Sequence, residues 1–122
     1  MSTFDKSTRM NLPAEKMLPE VGRTGYLSSS PTKVWESDSN LPAHVRLLII
    51  NTGAATKFNV YVVDDGESPV ALDLVGYQVD LDTNETMAYP DNDLWIPANA
   101  EVWVSSVASD QVLAYLMAHK YV

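Results

Sequence analysis

"HVRLLIINTGAATKFNVYVVDDG", His44 to Gly66, decides the fold class. In its first half Val45, Leu47 and Ile49 alternate with Arg46, Leu48 and Ile50, the period of two that belongs to an extended strand. Leu48 and Ile50 are apolar as well, so both faces read as buried over part of the length. In the second half Phe58, Val60 and Val62 share one face, while Lys57, Asn59, Tyr61 and Val63 share the other. The residues between, "INTGAATKF", include Gly53 and read as a hairpin, and Asp65–Gly66 reads as the turn that ends the second strand.

Downstream the same texture continues. Turn signals at "DTNE", "YPDND", "PANAE" and "ASDQ" recur at about the 8–12-residue spacing of a small sandwich or barrel. The last run, Val112 to Val122, contains "VLAYLMAHK", which could be wound as a helix. It lacks a firm cap and ends in "KYV", so it is expected to be a strand paired in a hairpin with Val102–Val104. Upstream, "GYLSSSPTKVWES" reads as a broken strand, with Pro31 suiting an edge or a bulge. The expected architecture is all-β: an antiparallel β-sandwich, jelly-roll-like, of about eight strands over residues 23–122, preceded by an extended N-terminal arm over residues 1–22.

The arm has its own character. "MNLPAEKMLPEVG" holds two prolines and shows no alternation. Pro13 fits the first position of a short helical turn over Ala14–Leu18, which Pro19 would end. A turn that short is unstable unless it lies on a surface. Met10, Leu12, Met17, Leu18 and Val21 are more apolar material than a solvated tail requires. They are the candidate interface residues of an arm that docks on a partner or on its own domain.

Composition narrows the function. The chain has 122 residues, a single domain's worth, with 46% hydrophobic and 20% charged residues, which argues for a packed core. It has no cysteine, which removes disulfides, thiolate nucleophiles and thiolate metal sites together. No apolar run approaches the roughly 18–20 residues of a membrane span, and the first residues lack a signal-peptide pattern. The net charge is −8: residues 1–23 hold four basic against three acidic residues, net +1, leaving about −9 on the body. An acidic body repels phosphate backbones, so neither nucleic acid nor membrane is an expected partner.

Catalytic constellations are weak. The two histidines, His44 and His119, stand far apart in sequence, and the serines, including Ser28–Ser30, fall in turn-like stretches without a nucleophile-elbow pattern. Three carboxylate clusters exist: Asp64, Asp65 and Glu67; Asp80, Asp82 and Glu85; Asp91 and Asp93. None matches a helix–loop–helix calcium loop, and turn-forming aspartates account for them without a metal. Trp95, Trp103 and nearby acids suggest a sugar site only in outline. No enzyme activity, cofactor or metal is expected.

The order of segments resembles the small β-sandwich modules of virion accessory proteins in tailed bacteriophages. The likeness runs from about Tyr26 to Val122 and is carried by Asn51–Ala55, Asp64–Gly66, Leu81–Thr86 and Pro97–Ser106. It departs at Asn99, where such modules often place a glycine–aspartate pair, although asparagine tolerates the left-handed conformation that turn needs. The resemblance implies a structural role: decorating or cementing a capsid shell, or, as the alternative, a tail, neck or fibre-anchoring module that recognises a glycan or adaptor protein. It implies binding to the major capsid protein or other virion proteins, a symmetric homo-oligomer with a trimer favoured, and a place in the virion after synthesis in the host cytoplasm. On this reading one of Trp95 and Trp103 enters the core, and the other reaches a loop end where a neighbouring subunit covers it.

Overall fold

The computed structural model describes residues 17–37 and 40–121. They form β1 (Met17–Arg23), β2 (Thr32–Glu36), β3 (Ala43–Asn51), β4 (Thr56–Asp64), a 3-10 turn (Ala71–Asp73), β5 (Leu74–Leu81), β6 (Thr86–Ile96), β7 (Ala100–Ser106) and β8 (Val112–Tyr121). Two four-stranded antiparallel sheets result, one in the order β1-β8-β3-β6 and the other β2-β7-β4-β5. Consecutive strands change sheets at every connection except β4 to β5. That is the topology of a jelly roll, in which double crossing leaves long-range pairs adjacent. No helix among the described residues is long and apolar enough to cross a membrane.

Period two holds where it was expected, but pairing does not. The two halves of His44–Gly66 are β3 and β4, and they lie in opposite sheets: β3 pairs with β6 and β8, and β4 with β5 and β7. The expected hairpin at Asn51–Thr56 is therefore a crossing. Each strand has one fully apolar face, and setting Val45, Leu47 and Ile49 opposite Phe58 and Val60 across the sandwich buries both. The same correction applies to Val112–Tyr121, which is a strand but pairs with β1 and β3 rather than with Val102–Val104. "YPDND" is no turn either. It is bulged out of β6, because Val45 faces Leu94 and Leu47 faces Tyr89, leaving four residues opposite Arg46.

The expected helical turn over Ala14–Leu18 is also corrected in part: Leu18 is extended within β1, and residues 14–16 lie outside the described residues. The line between residues 22 and 23 falls inside β1, whose pairing with β8 runs from Met17 to Arg23. Pro31 immediately precedes edge strand β2, and β2 has a register shift between Lys33 and Trp35, as a proline-led edge suggests.

The core lies between the sheets. Val45, Leu47, Ile49, Phe58, Val60, Ile96, Val102, Val104, Val112 and Leu116 are all fully buried. At roughly 1.5–3 kcal/mol for each such side chain, burial of this layer is the main source of stability. One edge closes through Tyr89, whose ring meets Phe58 edge-on with centroids 5.5 Å apart and whose hydroxyl donates to the Val75 carbonyl at 3.0 Å. Gly76 makes room for it, since a Cβ there would lie 2.6 Å from the Tyr89 hydroxyl.

Candidate functional site

At one end of the sandwich the connections are tied by Asn51, the last residue of β3 and almost fully buried. Its Nδ2 donates to the carbonyls of Ala54 and Asp82, each at 2.9 Å, and its Oδ1 accepts from Gly53 N and Gln111 Nε2, each at 3.1 Å. Three separate connections meet on one amide whose hydrogen-bonding capacity is filled. This end is a structural knot, and the Asn51 amide at its centre is fully engaged within the fold.

The outer face of β2-β7-β4-β5 centres on Glu101. Although on β7's outward parity, it is only 3% exposed. Trp103 Nε1 donates to its Oε1 at 2.9 Å, Gly66 N donates to its Oε2 at 3.3 Å, and the Lys33 ammonium lies 3.7 Å from Oε2. Burial pushes the Glu101 carboxyl up, but the Trp103 and Gly66 donors and the Lys33 charge outweigh it, so its pKa falls below the usual 4.5. Gly66 reaches Glu101 because the β4–β5 connection folds back over this face. Val63, outward in parity, is 1% exposed beneath it. Farther along, Asn59 Nδ2 donates to Ser105 Oγ at 3.2 Å, and Lys57 pairs with Asp80.

Glu36, Asp65 and Glu101 bring carboxylate oxygens within 4.8 Å of one another. Lys33 already stands among them, 3.0 Å from Glu36 Oε1, and the Glu36 acceptor raises the pKa of Lys33. Lys33 offsets one of the three carboxylates, and the cluster is a mostly exposed ion network that keeps a net negative charge. The three carboxylate groups read from the sequence do not assemble as units. Asp65 goes to Glu36 and Glu101, Glu85 Oε1 accepts from Asp82 N at 2.8 Å within its turn, and Asp93 lies 3.5 Å from Arg46. A shallow open depression of about 250 Å³ lies beside Lys57, Asp80 and Asp82, and the ion pair of Lys57 and Asp80 occupies its wall.

The outer face of β1-β8-β3-β6 is different in kind. Its central strands point Leu48, Ile50, Leu113 and Tyr115 outward, all half-buried, and Met117 outward at 40% exposure. Val21 faces Met117 from β1, and His119, His44 and Trp95 form a cross-strand row at the end where the chain enters β1. Arg46 is the cation in its middle, held by Asp91 O at 2.7 Å and by Asp93. No carboxylate occupies the outward positions of the four paired strands apart from those in the β6 bulge.

The candidate interface residues therefore separate. Met10 and Leu12 lie outside the described residues, Met17 and Leu18 lie in β1, and Val21 is 64% exposed. The expectation that either Trp95 or Trp103 enters the core is corrected. Ile96, Val102 and Val104 take the inward positions beside them, so Trp95 projects from one sheet at 56% exposure and Trp103 lies half-buried on the other. The core tryptophan is Trp35, whose Nε1 donates to Glu20 Oε1 at 2.9 Å. Trp95 and Trp103 thus line no common cleft, which removes the outlined sugar site. The histidines sit side by side as cross-strand neighbours, whereas Ser28–Ser30 belong to the β1–β2 connection at the opposite end. Sequence reading missed Leu113, Tyr115 and Met117. Their alternation with Val112, Ala114, Leu116 and Ala118 was the available signal.

No protein-family model matches the sequence, and no curated protein matches it. Solved structures do resemble the fold. A subunit of Bacillus endospore appendages, which form a novel family of disulfide-linked pili, aligns with TM-score 0.56 and 11% identity over 93% of this chain and 97% of that one. A protein in the structure of infectious bursal disease virus, Gx strain, aligns with TM-score 0.51 and 8% identity over 87% of this chain and 33% of that one. At these identities the likeness establishes the jelly-roll sandwich and nothing finer.

Proposed function

We propose that this chain is a structural protein of a virion that binds other virion subunits and decorates or cements the capsid shell. One contrast carries the reading: buried polar groups such as Asn51, Glu101 and Ser106 are engaged within the fold, while Val21, Trp95 and Met117 remain exposed on an apolar sheet face. A molecule arranged in that way binds by shape and apolar contact rather than by chemistry on a substrate. The shared sandwich with pilus and viral particle proteins supports the reading at the level of fold, as does the resemblance to phage accessory modules. The absence of cysteine separates it from a disulfide-linked assembly and requires that packing supply the cohesion.

The apolar residues of the arm extend the proposal: Met10, Leu12, Met17 and Leu18 engage the shell. Purified chain mixed with particles that lack it should co-sediment at a fixed ratio to the major capsid protein. Protease cleavage within residues 1–16, ahead of β1, should fall on the particle. Absence from particles would remove the virion role, and equal cleavage in free and particle-bound protein would remove the arm from the contact.

A further inference from the structure

We infer that the outer face of the β1-β8-β3-β6 sheet is a self-association surface, covered by the same face of a second copy of this chain. Antiparallel sheets with one solvated face normally alternate apolar inside with polar outside. Here that alternation fails on the two central strands. Leu48 and Ile50 of β3 and Leu113, Tyr115 and Met117 of β8 point away from the core. Cross-strand pairing sets them side by side: Leu48 opposite Tyr115, Ile50 opposite Leu113, and Val21 opposite Met117.

Size and charge identify the occupant. Four strands spaced at about 4.8 Å and about seven residues long at 3.4 Å each give a flat footprint of roughly 450 Å². This is a little over half the ~800 Å² per partner of a standard-size interface, in keeping with a pair that dissociates on dilution. A chain of net charge −8 repels its own copies over most of its surface. Apart from Asp91 and Asp93 in the β6 bulge, this face lacks carboxylates at the outward positions of its paired strands, and Arg46, paired with Asp93, and Arg23 of β1 equal those two in number. It is the surface on which two such chains approach at least electrostatic cost. The other exposed apolar group, Val70, Leu72, Val75 and Tyr77, fails this criterion because Asp64, Asp65, Glu67, Asp73 and Asp80 belong to the same connection and strands. Facing copies of one patch form a closed pair about a twofold axis.

The inference goes beyond the virion reading and stands or falls separately, because it is tested on free protein. Sedimentation of the full chain over a concentration series should give a dimer that dissociates on dilution. Met117→Glu should weaken association roughly thirtyfold or more, as expected for a central interface position. Tyr77→Lys should leave it intact, with circular dichroism confirming that both variants are folded. Because the chain has no cysteine, Met117→Cys and Tyr77→Cys each report one position. A short bis-maleimide should link copies of the first and not of the second. A monomer at high concentration, a trimer, or a dimer broken by Tyr77→Lys but not by Met117→Glu would overturn the inference.

Discussion

The two outer faces of this sandwich are built on the same strand geometry and end in opposite states. On β2-β7-β4-β5 the outward side chains mix polar and apolar groups, and the β4–β5 connection covers those around Glu101, while Val75 and Tyr77 of β5 stay exposed. Glu101 and Val63 become as buried as the core, and Trp103 donates to a neighbour in its own sheet. On β1-β8-β3-β6 no described element roofs the outward side chains, which are largely aliphatic or aromatic and remain partly exposed. One face has its cover within the chain, and the other is suited to receive it from another molecule. The difference comes from topology. The β4–β5 connection is the one that returns to its own sheet, and it is this connection whose Gly66 reaches Glu101 on the outer face.

The sharpest way to break this comparison is at Glu101. Glu101→Ala should lower the free energy of unfolding by about 2–3 kcal/mol in a denaturant titration, because it leaves the Trp103 and Gly66 donors without their acceptor beneath the roof. A change within error would mean that the roof contributes nothing to the fold.

A second, smaller effect is pH-dependent. The Glu101 carboxyl titrates below 4.5 in the folded chain, so the stabilisation of its ionised form is complete above that pH and is lost as pH falls through the lowered value. Melting curves from pH 6 to pH 3 should therefore fall less steeply for Glu101→Gln than for the parent protein. Parallel curves would show that the carboxylate's donors do not favour its charged form.

The smallest effect belongs to the other face. Met117→Ser and Val21→Ser should shift the stability of the monomeric form by only about 0.5 kcal/mol, the usual range for exposed sites. A loss of several kcal/mol at low protein concentration would mean that this face is already covered within one chain.

Much of the sandwich was legible in local pattern. The alternation in β3 and β4, the edge character of the Pro31 segment and the strand at Val112–Tyr121 follow from two-residue periodicity and proline chemistry. Asn99 adopts the left-handed conformation that its turn needs, with φ 63. The surfaces were less legible. Leu48 and Ile50 read as buried on both sides because periodicity reports apolarity, not whether a second layer exists to cover it. Trp95 and Trp103 drew attention by size, yet Ile96, Val102 and Val104 hold the inward parity beside them. Glu101 looked like one acid among sixteen until the fold set it against Trp103, Gly66 and Lys33.

Sequence alone determined the all-β class and the inward parity of β3 and β4, because these depend on neighbours two residues apart. Pairing was decided only in three dimensions. A short connection such as Asn51–Thr56 serves equally for a hairpin within a sheet or a crossing between sheets, and the choice rests on which apolar faces bury each other across the whole sandwich. The same global choice placed a roof over part of one outer face and left the other without cover from any described element.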